Sequence, residues 1–407
     1  MIKEEMDVPV IFGGIHPTSV PERVIQNDFV DMVCVGEGEY PMLELADSME
    51  QGKINTSIRN IWFKKDGQVI ANEVRPLIDD LDSLPMPDKE LYYSASPHFS
   101  QCYYIMASRG CLYACSYCCS SYLHQLYKNK GKTVRKRSVK NVIKELTDAK
   151  RKYNIKTVFF ADDCFAYDIN WLKDFSGEYR TKINLPFSCE MNPQHVSQEA
   201  LTYLKDAGCR EIEIGIQSWN EEVRESVFNR RTSNAQMERA MVMIKKTKIN
   251  LVTGDLLGYP GQKDEHIFRA VETYNKIKPD RSYIFILKFY PNTLITKKAV
   301  ESGFISESDH EKILDGFYGK YLTKDNPMTD KKVMQFLLLF LLARLLPARF
   351  TKFVLKRKFY RYFPACFTPA ILSISNNLLT STMESCLNRR IVLFRYGYFL
   401  KKFIKKK

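Results

Sequence analysis

Cys111, Cys115 and Cys118 stand at C-x3-C-x2-C in the stretch Ser108-Arg109-Gly110-Cys111-Leu112-Tyr113-Ala114-Cys115-Ser116-Tyr117-Cys118, with an aromatic residue just before the last thiol. Soft thiolates suit iron–sulfur ligation, and three of them on one short loop can hold three irons of a [4Fe–4S] cube. Only three closely spaced ligands are offered, so the fourth iron stays open to a small molecule. Such an iron is a reactive site rather than an electron relay. Cys119 follows Cys118 directly and leaves a shifted ligand set open, although the spacing favours Cys118. The rival readings are a zinc knuckle or plain buried cysteines. Zinc asks for a fourth ligand at finger-like spacing, and His124 and Cys102 are poorly placed to be one.

The elements that must position this loop belong to a chain of 407 residues, long enough for two or three domains with real cores. With 45% hydrophobic and 27% charged residues it is globular rather than disordered in composition. Its 11 cysteines follow a polar start, Met1-Ile2-Lys3-Glu4-Glu5, without an apolar signal region. They read as cytosolic thiols and metal ligands rather than disulfides, so a cytoplasmic location is expected. The net charge of +14 is localised: Arg344–Lys407 holds 15 Lys/Arg and one acid, Glu384, which leaves residues 1–343 balanced.

Residues 1–75 read as an α/β piece, with short strands at 8–12 and 30–35, a helix opened by Pro41, and a hairpin over 61–74 turning at Asp66-Gly67. Residues 76–100 read as a proline-rich acidic linker. Over 101–300 strand and helix alternate. Strands are expected at 103–106, 157–160, 187–190, 211–216, 250–257 and 280–289. Ser138 and Ser197 cap helices, Gly208 stops one, and Ser233 with Gln236 forms a capping box. Six such units, joined by right-handed parallel crossovers, predict an α/β fold built on a partial (β/α)6 barrel of the TIM type. Ligand sites in these sheets lie at the carboxyl ends of the strands, where the cysteine loop also falls.

Acids, glycines and amides recur at those ends. Ala161, Asp162 and Asp163 end the second strand and Glu190 the third. Gly215, Gln217 and Ser218 end the fourth, and Leu256 and Gly258 the fifth. Carboxylates there can accept hydrogen bonds from an ammonium or from ribose hydroxyls, and glycines let the backbone approach a ligand. Taken singly, each has a structural reading as well: Asp162 as a helix cap, Gly258–Gly261 as a tight turn.

The cysteine loop resembles the cluster motif of the radical S-adenosylmethionine (radical SAM) superfamily, and the strand ends resemble those of its members that carry an N-terminal cobalamin-binding domain. The resemblance covers about residues 8–293. It implies that Cys111, Cys115 and Cys118 ligate a [4Fe–4S] cluster, that its open iron chelates SAM, and that Tyr117 packs near the adenine. It places Ala161, Asp162 and Asp163 near the SAM amino group, with Gly215, Gln217, Glu190 and Ser218 toward the ribose and methionine. Leu256 and Gly258 fall at the adenine. Two departures are visible: the second strand lacks Gly-Gly-Glu, and Gln262 stands where Glu is common. Gly13-Gly14 and Gly36-Glu37 resemble the last strand ends of a Rossmann-like cobalamin domain, here partial. No D-x-H-x-x-G is present and residue 14 is Gly, so His16 is not the cobalt ligand by pattern. Cobalamin binding is therefore left open, with truncation or degeneracy of that module as the expected reason.

The activity implied is reductive cleavage of SAM to a 5′-deoxyadenosyl radical, for methylation or rearrangement at an unactivated carbon of a small-molecule or lipid-like substrate. Flavodoxin or ferredoxin would donate the electron. The alternatives are a tRNA methylthiotransferase, which should end in a compact β-barrel, and an inactive relative serving as a membrane- or partner-binding module. Residues 301–407 read as a mainly helical, basic tail. Its apolar run 333–343 is short of the roughly 18 residues that span a bilayer. The Lys/Arg interleaved with Phe and Tyr in 344–407 suit an anionic membrane surface, such as the inner membrane face. Nucleic acid, less favoured, would also attract the charge, and a helical cap with a solvated basic face is the third reading.

Overall fold

The computed structural model describes residues 2–6, 8–95, 101–318 and 330–363. Its N-terminal sheet runs in order β1 (Ile11–Phe12), β2 (Met32–Cys34), β3 (Ile61–Lys65), β4 (Gln68–Ala71). β1 and β2 are parallel; β3 and β4 continue the sheet antiparallel as a hairpin. Asp66 and Gly67 both take positive φ at the hairpin turn, as the sequence predicts. The helix opened by Pro41 begins two residues earlier, at Glu39, and ends at Glu50.

The second sheet carries the chemistry. Its strands are β5 (Cys102–Ile105), β8 (Thr157–Phe160), β9 (Phe187–Met191), β10 (Cys209–Gln217), β11 (Asn250–Leu257) and β12 (Arg281–Ile286), with a small ladder β6 (Ser108–Arg109) and β7 (Arg135–Lys136) beside it. All six pair in parallel, each with its neighbour in sequence. This is the expected (β/α)6 arrangement. Local chemistry sets the crossovers. The Ser138 and Ser197 side chains accept from the Asn141 and Ala200 amides, the Ser233–Gln236 capping box is complete, and Gly208 ends its helix at φ 96°. The helix Ile169–Lys182 is opened by Asp168, whose carboxylate accepts from the Trp171 amide.

Side chains alternate across the strands. Val158, Phe160, Phe187, Ile212, Ile214 and Leu251 are fully buried against the helices, where Phe160 meets Phe165, Phe175 and Phe187 ring to ring. The apolar run at 333–343 has a use of its own: it forms the helix Asp330–Leu345, and Val333, Phe336, Leu339, Phe340 and Ala343 join this same core. Asn275 fastens that helix and the next, donating to the carbonyls of Ala343 and Leu346 and to the Thr351 hydroxyl. Among the described residues no helix is long and apolar enough to cross a membrane. The part of the basic tail from 364 to 407 lies outside the described residues.

Candidate active site

The cysteine loop leaves β6 and is tied down on every side. Gly110 has φ 84°, and a Cβ there would sit 2.1 Å from the Thr133 carbonyl oxygen, so only glycine fits. The Ser116 amide donates to Phe228 O and the Ser116 hydroxyl to Val227 O. Asn229 donates to Ala114 O, Ile295 N to Ser116 O, and the His124 ring meets Cys111 O at 2.9 Å. A loop with its backbone polar groups so paired is held in one shape.

That shape brings Cys111, Cys115 and Cys118 onto the wall of a single cavity of about 220 Å³. Burial pushes the Cys111 thiol up to about 12. Cys118 is pulled down to about 6, chiefly by the hydrogen bond from the Cys119 thiol and also by Ser120. Cys118 is the N-cap of the helix Cys119–Leu126, a position that favours a thiolate. Cys119 is not on the wall; its thiol serves Cys118. Among the described residues no three His, Cys, Asp or Glu side chains converge on one ion. The three thiols ring a space instead.

The opposite wall comes from the strand ends. Asp163, Glu190, Gly215 and Gln217 line it, and Tyr117 joins the lining from the cysteine loop; all five are expected from the sequence. Burial, helped by the charges of Asp163 and Asp162, pushes Glu190 up to about 7. A bulge between Gly215 and Gln217 breaks the β10 register, and Gln217 takes φ 68°. Bulges re-aim side chains in this way. Tyr117 stands edge-on to Phe228 with centroids 5.2 Å apart.

Five expected residues lie elsewhere. Asp162 is 1% exposed and is spent on the cysteine loop's own base, accepting from Ala107 N and the Ser108 hydroxyl. Ser218 is buried against the Tyr259 hydroxyl at 3.0 Å. Leu256 packs in the apolar cluster of Phe228 and Phe289, which Tyr117 also joins, and does not line the cavity. Gly258 donates to the Gln262 side chain, which closes the fifth strand's turn and gives Gln262 its role there. Ala161 faces a second cavity, of about 540 Å³, between the 81–89 segment and the β5 edge.

The wall also holds residues that the sequence reading missed. Glu213 stands two residues before Gly215 on β10, where strand period could have found it, and Gly254 is the β11 partner of Gly215. Tyr113, whose hydroxyl lies 2.9 Å from His195 Nε2, sits within the motif itself. Arg230 and Phe285 had no local signal. Arg230 is 8% exposed; it donates to Gly215 O and reaches 3.9 Å from Cys115 Sγ, while its Nε has no partner among the described residues.

This arrangement fits an anionic cluster. A buried guanidinium with no carboxylate beside it is costly unless an anion is its neighbour, and three thiolates carrying iron and sulfide supply one. Residues 105–273 match the family model for the radical SAM superfamily. These residues are a radical SAM domain. Around it, the chain is 26% identical over 306 residues to an uncharacterized methyltransferase of Pyrococcus horikoshii, covering 74% of this chain and 64% of that protein. It is 24% identical over 279 residues to the bacteriochlorophyllide d C-12(1)-methyltransferase of Chlorobaculum tepidum, covering 67% and 55%. Two solved structures share the fold. The radical SAM methyltransferase TsrM from Kitasatospora setae superposes with TM-score 0.63 at 19% identity, over 74% of this chain and 59% of that one. The cobalamin-dependent radical SAM enzyme OxsB gives 0.64 at 15%, over 99% and 69%. The chain spans between about half and two thirds of the length of the first curated relatives it matches.

The N-terminal glycines answer differently from the radical SAM domain. A Cβ on Gly36 would fall 1.9 Å from the Tyr127 hydroxyl, which accepts a hydrogen bond from the Glu37 amide. The Glu37 carboxylate is bound by Arg135, Arg109 and the Ile78 amide. Gly36 and Glu37 thus dock the N-terminal sheet on the radical SAM domain. A Cβ on Gly14 would meet nothing within 4 Å, whereas one on Gly13 would touch Cys34 at 3.6 Å.

Proposed function

We propose that this chain is a radical SAM enzyme that holds a [4Fe–4S] cluster on Cys111, Cys115 and Cys118 and acts on an unactivated carbon of a small-molecule substrate. When bound, the cluster and SAM supply reductive cleavage of the SAM C5′–S bond, giving methionine and a 5′-deoxyadenosyl radical that removes a hydrogen atom from carbon. The observation that carries the reading is the convergence of three loop thiols, the buried Arg230 and the strand-end carboxylates on one cavity.

The chain's own residues divide the remaining work. Arg230 offsets negative charge beside Cys115. Glu190, Glu213 and Asp163 offer acceptors for an ammonium and for ribose hydroxyls. Gly254 leaves bare backbone, and a Cβ on Gly215 would displace the Gln217 amide, 2.5 Å away. Tyr117 and Phe285 add apolar surface to the lining. An external donor of the flavodoxin or ferredoxin kind would bring the electron. The methyltransferase names of the relatives support methylation over rearrangement as the outcome. With Gly36 and Glu37 committed to internal contacts, cobalamin is given no step.

Anaerobic reconstitution tests this. The expected result is about four irons and four sulfides per chain, with 5′-deoxyadenosine released from SAM under reductant and both lost in Cys115→Ala. Zinc uptake without SAM cleavage would sink the proposal.

A further inference from the structure

The helix Ala348–Lys356 buries Thr351, Val354 and Leu355 in the molecule and turns Phe350 and Phe353 outward, each about half exposed. Phe359 and Tyr362 follow, the latter 82% exposed. Their ring centroids lie 6.3, 5.4 and 6.2 Å apart in succession, so the four rings form one continuous row. Scattered exposed apolar residues are ordinary, whereas a contiguous patch marks a contact surface. Six exposed cations flank it: Arg349, Lys352, Lys356, Arg357, Lys358 and Arg361. No acid occurs between 344 and 363, and none of the six forms an ion pair among the described residues. The row also has a direction. The Tyr360 hydroxyl donates to Asp264, the first residue of the helix that follows β11. Phe359 and Tyr362 therefore lie at the carboxyl end of the barrel, the end that carries the cysteine cavity.

We infer that this face docks the protein on an anionic phospholipid bilayer, with the rings at the boundary of headgroup and acyl chain and the cations on lipid phosphates. An amphipathic helix with Phe beside Lys and Arg suits that boundary. Single-stranded nucleic acid stacks its bases on exposed ring faces, and here the rings pack against one another along the row. The inference is independent of the reaction proposed for the cavity.

The full-length chain is sedimented with vesicles of phosphatidylcholine alone and of phosphatidylcholine with phosphatidylglycerol. It binds the anionic vesicles, and added salt weakens the binding. Phe350→Ser/Phe353→Ser/Phe359→Ser lowers the partition coefficient at least roughly tenfold, with a cooperative thermal melt retained because these rings are about half exposed. Lys352→Glu/Lys356→Glu/Arg357→Glu, which alters no buried group, does the same. Three results would overturn the inference: no vesicle binding, binding that both triple variants retain (which assigns it to residues 364–407), or loss of binding to a single-stranded RNA oligonucleotide with vesicle binding intact.

Discussion

The Arg230 guanidinium lies 3.9 Å from the Cys115 sulfur, although 115 residues separate the two in sequence. It reaches this place because residues 227–230 also hold the cysteine loop, through the carbonyls of Val227 and Phe228 and the amide of Asn229. One segment thus fixes the thiols and delivers the charge that faces them.

Arg230→Met should therefore have effects of opposite sign on the two forms of the protein. Without the cluster, an unpaired buried cation is gone, and the thermal midpoint should hold or rise. With the cluster, the reduced form loses a favourable charge, and the midpoint potential should fall by on the order of tens of millivolts. Redox titration by electron paramagnetic resonance reads the second effect. An unchanged potential would remove Arg230 from the account.

Much of this fold was legible because its signals are local. Ser138, Ser197, Gly208 and the Ser233–Gln236 pair act within one turn of where they stand, and strand period needs only a few residues. The three thiols were legible for the same reason. Arg230 and Phe285 were not, since nothing near them in sequence marks the cavity they enter. Asp162 shows the reverse failure: a strand-end acid looks the same whether it meets a ligand or, as here, the amide of Ala107 and the hydroxyl of Ser108. Gly36-Glu37 had a second role with no local signal, since Tyr127 and the two arginines that hold it stand 72 to 98 residues away.

The adjacent pair Cys118-Cys119 gives a direct test of the ligand set. Cys118→Ala removes a thiol from the cavity wall and should abolish reconstitution of a full cluster. Cys119→Ala removes only the hydrogen bond to Cys118 and should keep most of the iron, with a less acidic Cys118. Iron and sulfide assays on the two variants decide it. A cluster retained by Cys118→Ala and lost by Cys119→Ala would reverse the assignment.

Gly110→Ala should damage the site without touching a thiol. The residue holds φ 84°, and the new Cβ would press on a backbone carbonyl, Thr133 O, that cannot turn aside as a side chain could. Strain and overpacking together should cost about 2–4 kcal/mol in urea unfolding. Iron retention should fall with it, because Cys111 is the next residue. A variant with normal stability and a normal cluster would show the loop to be softer than its contacts imply.

Asp255 gives the cluster-free protein a pH dependence opposite to that of a salt-bridged carboxylate. It is 3% exposed, accepts from the Tyr274 hydroxyl and has no cation beside it among the described residues; burial raises it from 3.8 to about 7. Between those values the folded chain keeps a proton that the unfolded chain releases. Stability from this group is therefore fully present below about pH 4 and is lost as pH rises to about 7, by up to roughly 4 kcal/mol. Glu190, also raised to about 7, adds to the same slope. Asp255→Asn keeps the shape and an acceptor for Tyr274 while removing the proton. Its unfolding free energy should fall less steeply between pH 5 and 7 than that of the parent, which urea titrations at several pH values would measure. Equal slopes in the two proteins would mean that Asp255 is ionised in the fold.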